Sequence, residues 1–123
     1  MARHNERGQY GEKIAMAHLR NEGYVILDVN WRSSHLEIDI IAAKDNEIVF
    51  VEVKTRKDEE YMLPTAAVDK NKINNIVRAA NSYIIQKDTN LEPRFDIITV
   101  VGNREPFKVE HIKEAFFPPM KHR

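Results

Sequence analysis

Two neighbouring stretches of this chain read as β-strands that carry charges among apolar residues. They are Leu36-Glu37-Ile38-Asp39-Ile40-Ile41-Ala42 and Ile48-Val49-Phe50-Val51-Glu52-Val53-Lys54-Thr55. A charge buried in such a strand is costly unless it is paired or binds a metal. Two carboxylates (Asp39 and Glu52) and one ammonium (Lys54) in a small volume suit a divalent cation and a phosphate. Metal-dependent cleavage of nucleic acid is the leading expectation from these residues.

Register sharpens that expectation. Asp45-Asn46 suits the centre of a two-residue hairpin, because both residues tolerate positive φ. Lys44 then pairs with Glu47, Asp39 lies opposite Glu52, and Glu37 lies opposite Lys54. Strict alternation puts Glu37, Asp39 and Ile41 on one face and Leu36, Ile38, Ile40 and Ala42 on the other. The apolar face aligns Ile38 with Val53 and Ile40 with Val51, and a one-residue slip would destroy both sets. Facing carboxylates with Cβ atoms roughly 5 Å apart repel unless one takes a proton or a cation enters. Mg²⁺ or Mn²⁺, which favour oxygen ligands, fit that need. The alternative is a polar face with an ordinary Glu37–Lys54 salt bridge.

The rest of the chain supplies a setting. Its 123 residues suit one domain spanning 1–123, with loose ends near 1–7 and 118–123. No apolar run approaches the ~18 residues of a membrane span, and the first residues lack a signal-peptide core, which suggests the cytoplasm. There are no cysteines, which excludes thiolate chemistry and disulfides. The net charge is zero, whereas a strong non-specific DNA binder shows a basic excess. Basic residues do cluster at Arg3, His4 and Arg7, at Lys121, His122 and Arg123, and at Lys54, Arg56 and Lys57.

Periodicity predicts a first helix from about Gln9 to Asn21, with Glu12, Ala15, Met16 and Leu19 on one face and Gly23 ending it. Tyr24 to Trp31 reads as an imperfectly alternating strand. After a loop ending near Pro64, a second helix is expected over Thr65 to Gln86. Its stripe is Ile73, Ile76, Val77, Ala80, Tyr83 and Ile84. Phe95 to Val101 reads as a central strand, Phe107 to Ile112 as a short edge strand, and Pro118-Pro119 as the end of order. The order αβββαβ(β) is that of an α/β domain with one mixed sheet flanked by helices. Arg56 and Lys57 are candidate phosphate contacts. Asp96 is expected to pair locally with Arg94. His4, His18, His111 and His122 show no metal-ligand spacing, and His35 reads as a surface residue.

Phe50-Val51-Glu52-Val53-Lys54-Thr55-Arg56, preceded by Glu37-Ile38-Asp39, resembles the YraN-like family of uncharacterised bacterial proteins. Gly11-Glu12 with Ala15, Gly23-Tyr24, Asn30-Trp31-Arg32, Ala67-Val68 with Lys72, and Arg94-Phe95-Asp96 extend the resemblance over residues 8 to 101. The resemblance implies a restriction-endonuclease-like sheet of four to five strands, similar to archaeal Holliday-junction resolvases. Asp39, Glu52 and Lys54 match its D…ExK pattern, and Glu12 matches an early helical glutamate of the resolvases. By that resemblance Mg²⁺ or Mn²⁺ would be held by Asp39, Glu52 and the Val53 carbonyl. Lys54 would assist the attacking water, and Lys72 matches a family lysine able to contact phosphate. The implied partner is nucleic acid, in particular branched DNA, with a homodimer by analogy. The alternative is a binding module of nuclease fold with little or no catalysis. One departure stands out: His35-Leu36 replaces the glycine that commonly precedes Glu-Ile-Asp.

Overall fold

The structure, a computed structural model, describes residues 2–57 and 69–118, with side chains from residue 10 onward. Expectations for the loop to Pro64, for the helix start at Thr65, and for Ala67-Val68, Pro119 and 119–123 fall outside the described residues.

The elements follow the order α1 (Ala2–Asn21), β1 (Val25–Ser33), β2 (Leu36–Lys44), β3 (Glu47–Arg56), α2 (Lys70–Lys87), β4 (Glu92–Val101) and β5 (Lys108–Ile112). They build one mixed five-stranded sheet in the order β1-β2-β3-β4-β5. Strands β1 to β3 form an antiparallel meander, β4 runs parallel to β3, and β5 closes the far edge antiparallel. The parallel step needs a crossover, which α2 supplies. Because β4 has a neighbour on each side, Phe95–Val101 is buried throughout, as its apolar run predicts.

Helix α1 begins at Ala2 rather than Gln9. It ends as expected at Gly23 (φ 94°), where the Gly23 and Tyr24 N–H groups donate to the Arg20 and Leu19 carbonyls. Helix α2 is capped by Asp69, whose carboxylate accepts from the Lys72 N–H at 2.8 Å. At its other end Asp88 takes the left-handed conformation.

Each sheet face has its own core. Ala15 and Leu19 of α1 pack on Ile40, Ala42, Val49, Val51, Ile98 and Val100. Ile76, Ala79, Ala80 and Tyr83 of α2 pack on Leu36, Ile38, Ile41, Ile48, Phe50, Phe95 and Ile97. Phe50 stacks on Phe95 with centroids 5.6 Å apart, and burying either ring contributes about 1.5–3 kcal/mol. The expected α2 stripe is present, with Ala79 as an addition. Gly11 lets α1 lie close to β3, since a Cβ there would run into the Thr55 methyl. That close approach carries Glu12 towards the end of β3.

A candidate active site where the sheet divides

The hairpin forms at Asp45-Asn46 and its register begins as expected, with Lys44 paired to Glu47 and Ile40 to Val51. There the β2–β3 ladder stops. Strand β2 stays paired with β1 as far as Leu36, while β3 stays paired with β4 as far as Arg56. The sheet therefore forks between β2 and β3. At the fork Asp39 Oδ2, instead of a backbone carbonyl, accepts the Val53 N–H at 2.8 Å.

The fork corrects three expectations. The ladder does not set Asp39 against Glu52 or Ile38 against Val53, because it ends one pair earlier. Glu37 does not meet Lys54; it faces Arg32 across β1 at 3.7 Å. The predicted common face of Leu36, Ile38, Ile40 and Ala42 also breaks. Leu36 and Ile38 join the α2 core, whereas Ile40 and Ala42 join the α1 core. The break falls at Asp39. Across β1 the paired register skips Asn30, which has a left-handed backbone with φ 53°. The alternation of period two holds only while a strand stays regularly paired.

The fork collects charge. Glu52 is buried on β3, and its Oε2 lies 3.4 Å from Lys54 Nζ and 3.2 Å from Lys72 Nζ. Glu12 reaches in from α1 and accepts from Asn30 Nδ2 at 3.0 Å. Burial pushes the Asp39 carboxyl up to about 7, and the neighbouring Glu52 adds to the rise. Burial also raises Glu12, with Glu37 and Glu52 contributing against the Asn30 hydrogen bond. Burial opposes the Lys72 charge, yet Glu52, Asp39 and Glu37 outweigh it and hold the ammonium more firmly protonated than usual.

The structure thus brings Glu12, Asp39, Glu52, Lys54 and Lys72 into one electrostatic neighbourhood. Arg56 and Lys57 continue β3 away from it. Lys57 is exposed, while Arg56 Nε is buried with no hydrogen-bond partner. Val53 meets Asp39 through its N–H. Sequence reasoning missed Asn30 as the partner of Glu12, for which Asn30-Trp31-Arg32 carried only a family signal. It also missed the Lys72–Glu52 pair, which joins residues from different elements.

The donors at the fork are all oxygen, and burial together with the neighbouring Glu52 raises Asp39. Both features fit Mg²⁺ or Mn²⁺, which keep several waters and need few protein ligands. Among the described residues, no three Asp, Glu or His side chains are gathered closely enough to hold an ion as they stand. The ammonium groups of Lys54 and Lys72 offset Glu52 instead.

A second polar network lies apart from the fork. Asp96 is wholly buried and accepts from Arg94 Nε and Nη2 at 2.9 and 2.8 Å, and from the Glu114 N–H at 3.1 Å. His111 Nε2 lies 2.7 Å from Asp96, and His111 Nδ1 lies 3.2 Å from His18 Nε2. Burial would raise the Asp96 carboxyl, but His111, Arg94 and the Glu114 N–H outweigh it and hold it below the ordinary range. The local Arg94–Asp96 pair is as expected.

Fold and fork define a class: an α/β protein whose mixed sheet divides at one end, with acidic residues and lysines at the division. Within that class the chain belongs to the uncharacterised protein family UPF0102, the YraN-like family, whose model matches residues 11–100. It is 51% identical over 120 residues to a UPF0102 protein of Bacteroides thetaiotaomicron, covering 98% of this chain and 99% of that protein. A UPF0102 protein of Flavobacterium psychrophilum is 46% identical over 117 residues, covering 95% and 98%. One of Phocaeicola vulgatus is 45% identical over 120 residues, covering 98% and 99%.

Proposed function

We propose that this protein is a metal-dependent endonuclease that hydrolyses phosphodiester bonds in DNA, with branched DNA as the favoured substrate. One observation carries the reading: Asp39 is held at a forked sheet by the Val53 N–H, beside a buried Glu52 that touches Lys54. A structural salt bridge would not explain an acidic group whose carboxyl is pushed up to about 7. A carboxyl raised by burial and by a second acid beside it, in a cluster of charged side chains, is a mark of functional sites.

Asp39 and Glu52, with the Val53 carbonyl and Glu12, would hold Mg²⁺ or Mn²⁺. The bound ion supplies a Lewis acid for a phosphoryl oxygen and lowers the pKa of a water. Lys54, paired with Glu52, would offset the negative charge that builds on the phosphoryl oxygens during attack. Arg56 ends the same strand and Lys57 follows it, where the phosphate backbone would run. A homodimer would let two such sites address two strands.

Zero net charge favours a second reading, a binding module with little turnover. Cleavage of linear, flapped and four-way-junction DNA with Mn²⁺ separates the two. The nuclease reading expects Mn²⁺-dependent cutting that falls at least about 100-fold in Lys54→Ala. Cutting indifferent to that change sinks the mechanism, and duplex binding without cutting supports the binding module.

A further inference from the structure

Lys72 holds a position that its own helix does not favour. It stands in the first turn of α2 together with Lys70, and the acidic residue at this helix end is the N-cap Asp69, just before that turn. A cation there opposes the helix dipole. Its ammonium nevertheless reaches Glu52 at 3.2 Å and feels Asp39 and Glu37 as well. The side chain remains 46% exposed, against 26% for Lys54. Of the two ammonium groups beside Glu52, Lys72 is thus the more open to solvent.

We propose that the Lys72 ammonium is the resident counter-cation of the Asp39–Glu52 pair, displaced when a divalent ion enters and then free to hold a substrate phosphate. This rests on the metal reading above. Charge accounts for the exchange. With an ion bound, Asp39 and Glu52 are both ionised and carry −2, which the divalent ion cancels alone. Lys72 then loses its attraction to Glu52 and is repelled by the ion. The nearest new anion is the phosphodiester. Metal and phosphate would accordingly bind cooperatively, each helping the other by the same factor.

The test is Mn²⁺ titration by calorimetry on the full chain without DNA, for wild type, Lys72→Met, Lys72→Arg and Lys70→Met. Removing the competitor should tighten Mn²⁺ binding about 2- to 5-fold in Lys72→Met, the size of one partly exposed charge pair. Lys72→Arg keeps the charge and should stay near wild type. Lys70→Met, one charge poorer in the same turn, should also stay near wild type. In parallel, Ca²⁺ should strengthen binding of a short DNA duplex more in wild type than in Lys72→Met. Unchanged or weaker Mn²⁺ binding in Lys72→Met overturns the proposal and leaves the metal site intact. An equal tightening in Lys70→Met also overturns it, because the effect would then be general electrostatics. Equal Ca²⁺ stimulation of duplex binding overturns the phosphate step. A wild-type protein that takes up no Mn²⁺ overturns the metal reading itself.

Discussion

Asp39→Asn should make the protein more stable, and only above mildly acidic pH. The amide retains an oxygen to accept the Val53 N–H and removes the charge that burial and Glu52 oppose. In the unfolded chain this carboxyl titrates near 3.8; in the fold it is pushed up to about 7. The folded state therefore binds more protons between those values. The stability linked to Asp39 is fully present below about pH 4, declines as pH rises to about 7, and is absent above it. Three pKa units correspond to about 4 kcal/mol. Asp39 is only half-buried, and solvent screens part of the effect, so about 1–3 kcal/mol is the realistic size. Urea unfolding of wild type and variant at pH 4, 6 and 8 measures it. With a slope of about 1–2 kcal/mol per molar, the midpoint should rise by about 1 M at pH 8 and hardly at pH 4. Effects of titrating groups distant from Asp39 cancel in the comparison at each pH. A variant no more stable than wild type at pH 8, or an advantage independent of pH, would refute the reasoning.

Other outcomes follow from the same contacts. Arg94→Met leaves Asp96 charged and wholly buried beside His111, and should cost about 3–5 kcal/mol in denaturant unfolding. Arg32→Ala breaks an exposed pair with Glu37 and should stay within about 0.5 kcal/mol. Gly11→Ala forces a methyl against Thr55 and should destabilise by about 1–3 kcal/mol, with much of the loss recovered in the Gly11→Ala, Thr55→Ser double variant. Tyr83→Phe removes the hydroxyl that donates to Asp28 at 2.8 Å and should cost about 1 kcal/mol by thermal melting. Saturating Mn²⁺ should raise the melting temperature of wild type and leave that of Glu52→Gln nearly unmoved.

Local patterns foretold those parts of the molecule whose physics is local. The 3.6-residue stripe of α2, the all-apolar run of β4, the Asp45-Asn46 turn and the stop at Gly23 each depend on a few adjacent residues. Placing Asp39 and Glu52 near one another needed only the turn and counting outward from it. The count failed where pairing stopped. Periodicity assumes that a strand keeps its partner, whereas β2 leaves β3 after Ile40 and follows β1. Nothing adjacent in sequence marks that parting, because it is a competition between two strand partners and two helix faces.

The same reason governs the site. By itself the sequence determined which groups are available: two carboxylates and a lysine on neighbouring strands, and a glutamate on the inward face of a helix. Only the tertiary structure decided how they are held. Asn30 steadies Glu12 from β1, Gly11 sets the depth of α1 on β3, and Lys72 comes from the start of α2 to neutralise Glu52. His18 and His111, 93 residues apart and without metal-ligand spacing, meet beside Asp96. A charge acts over a few ångströms of space, whatever the separation along the chain. Such pairings exist only once the sheet has brought distant segments together.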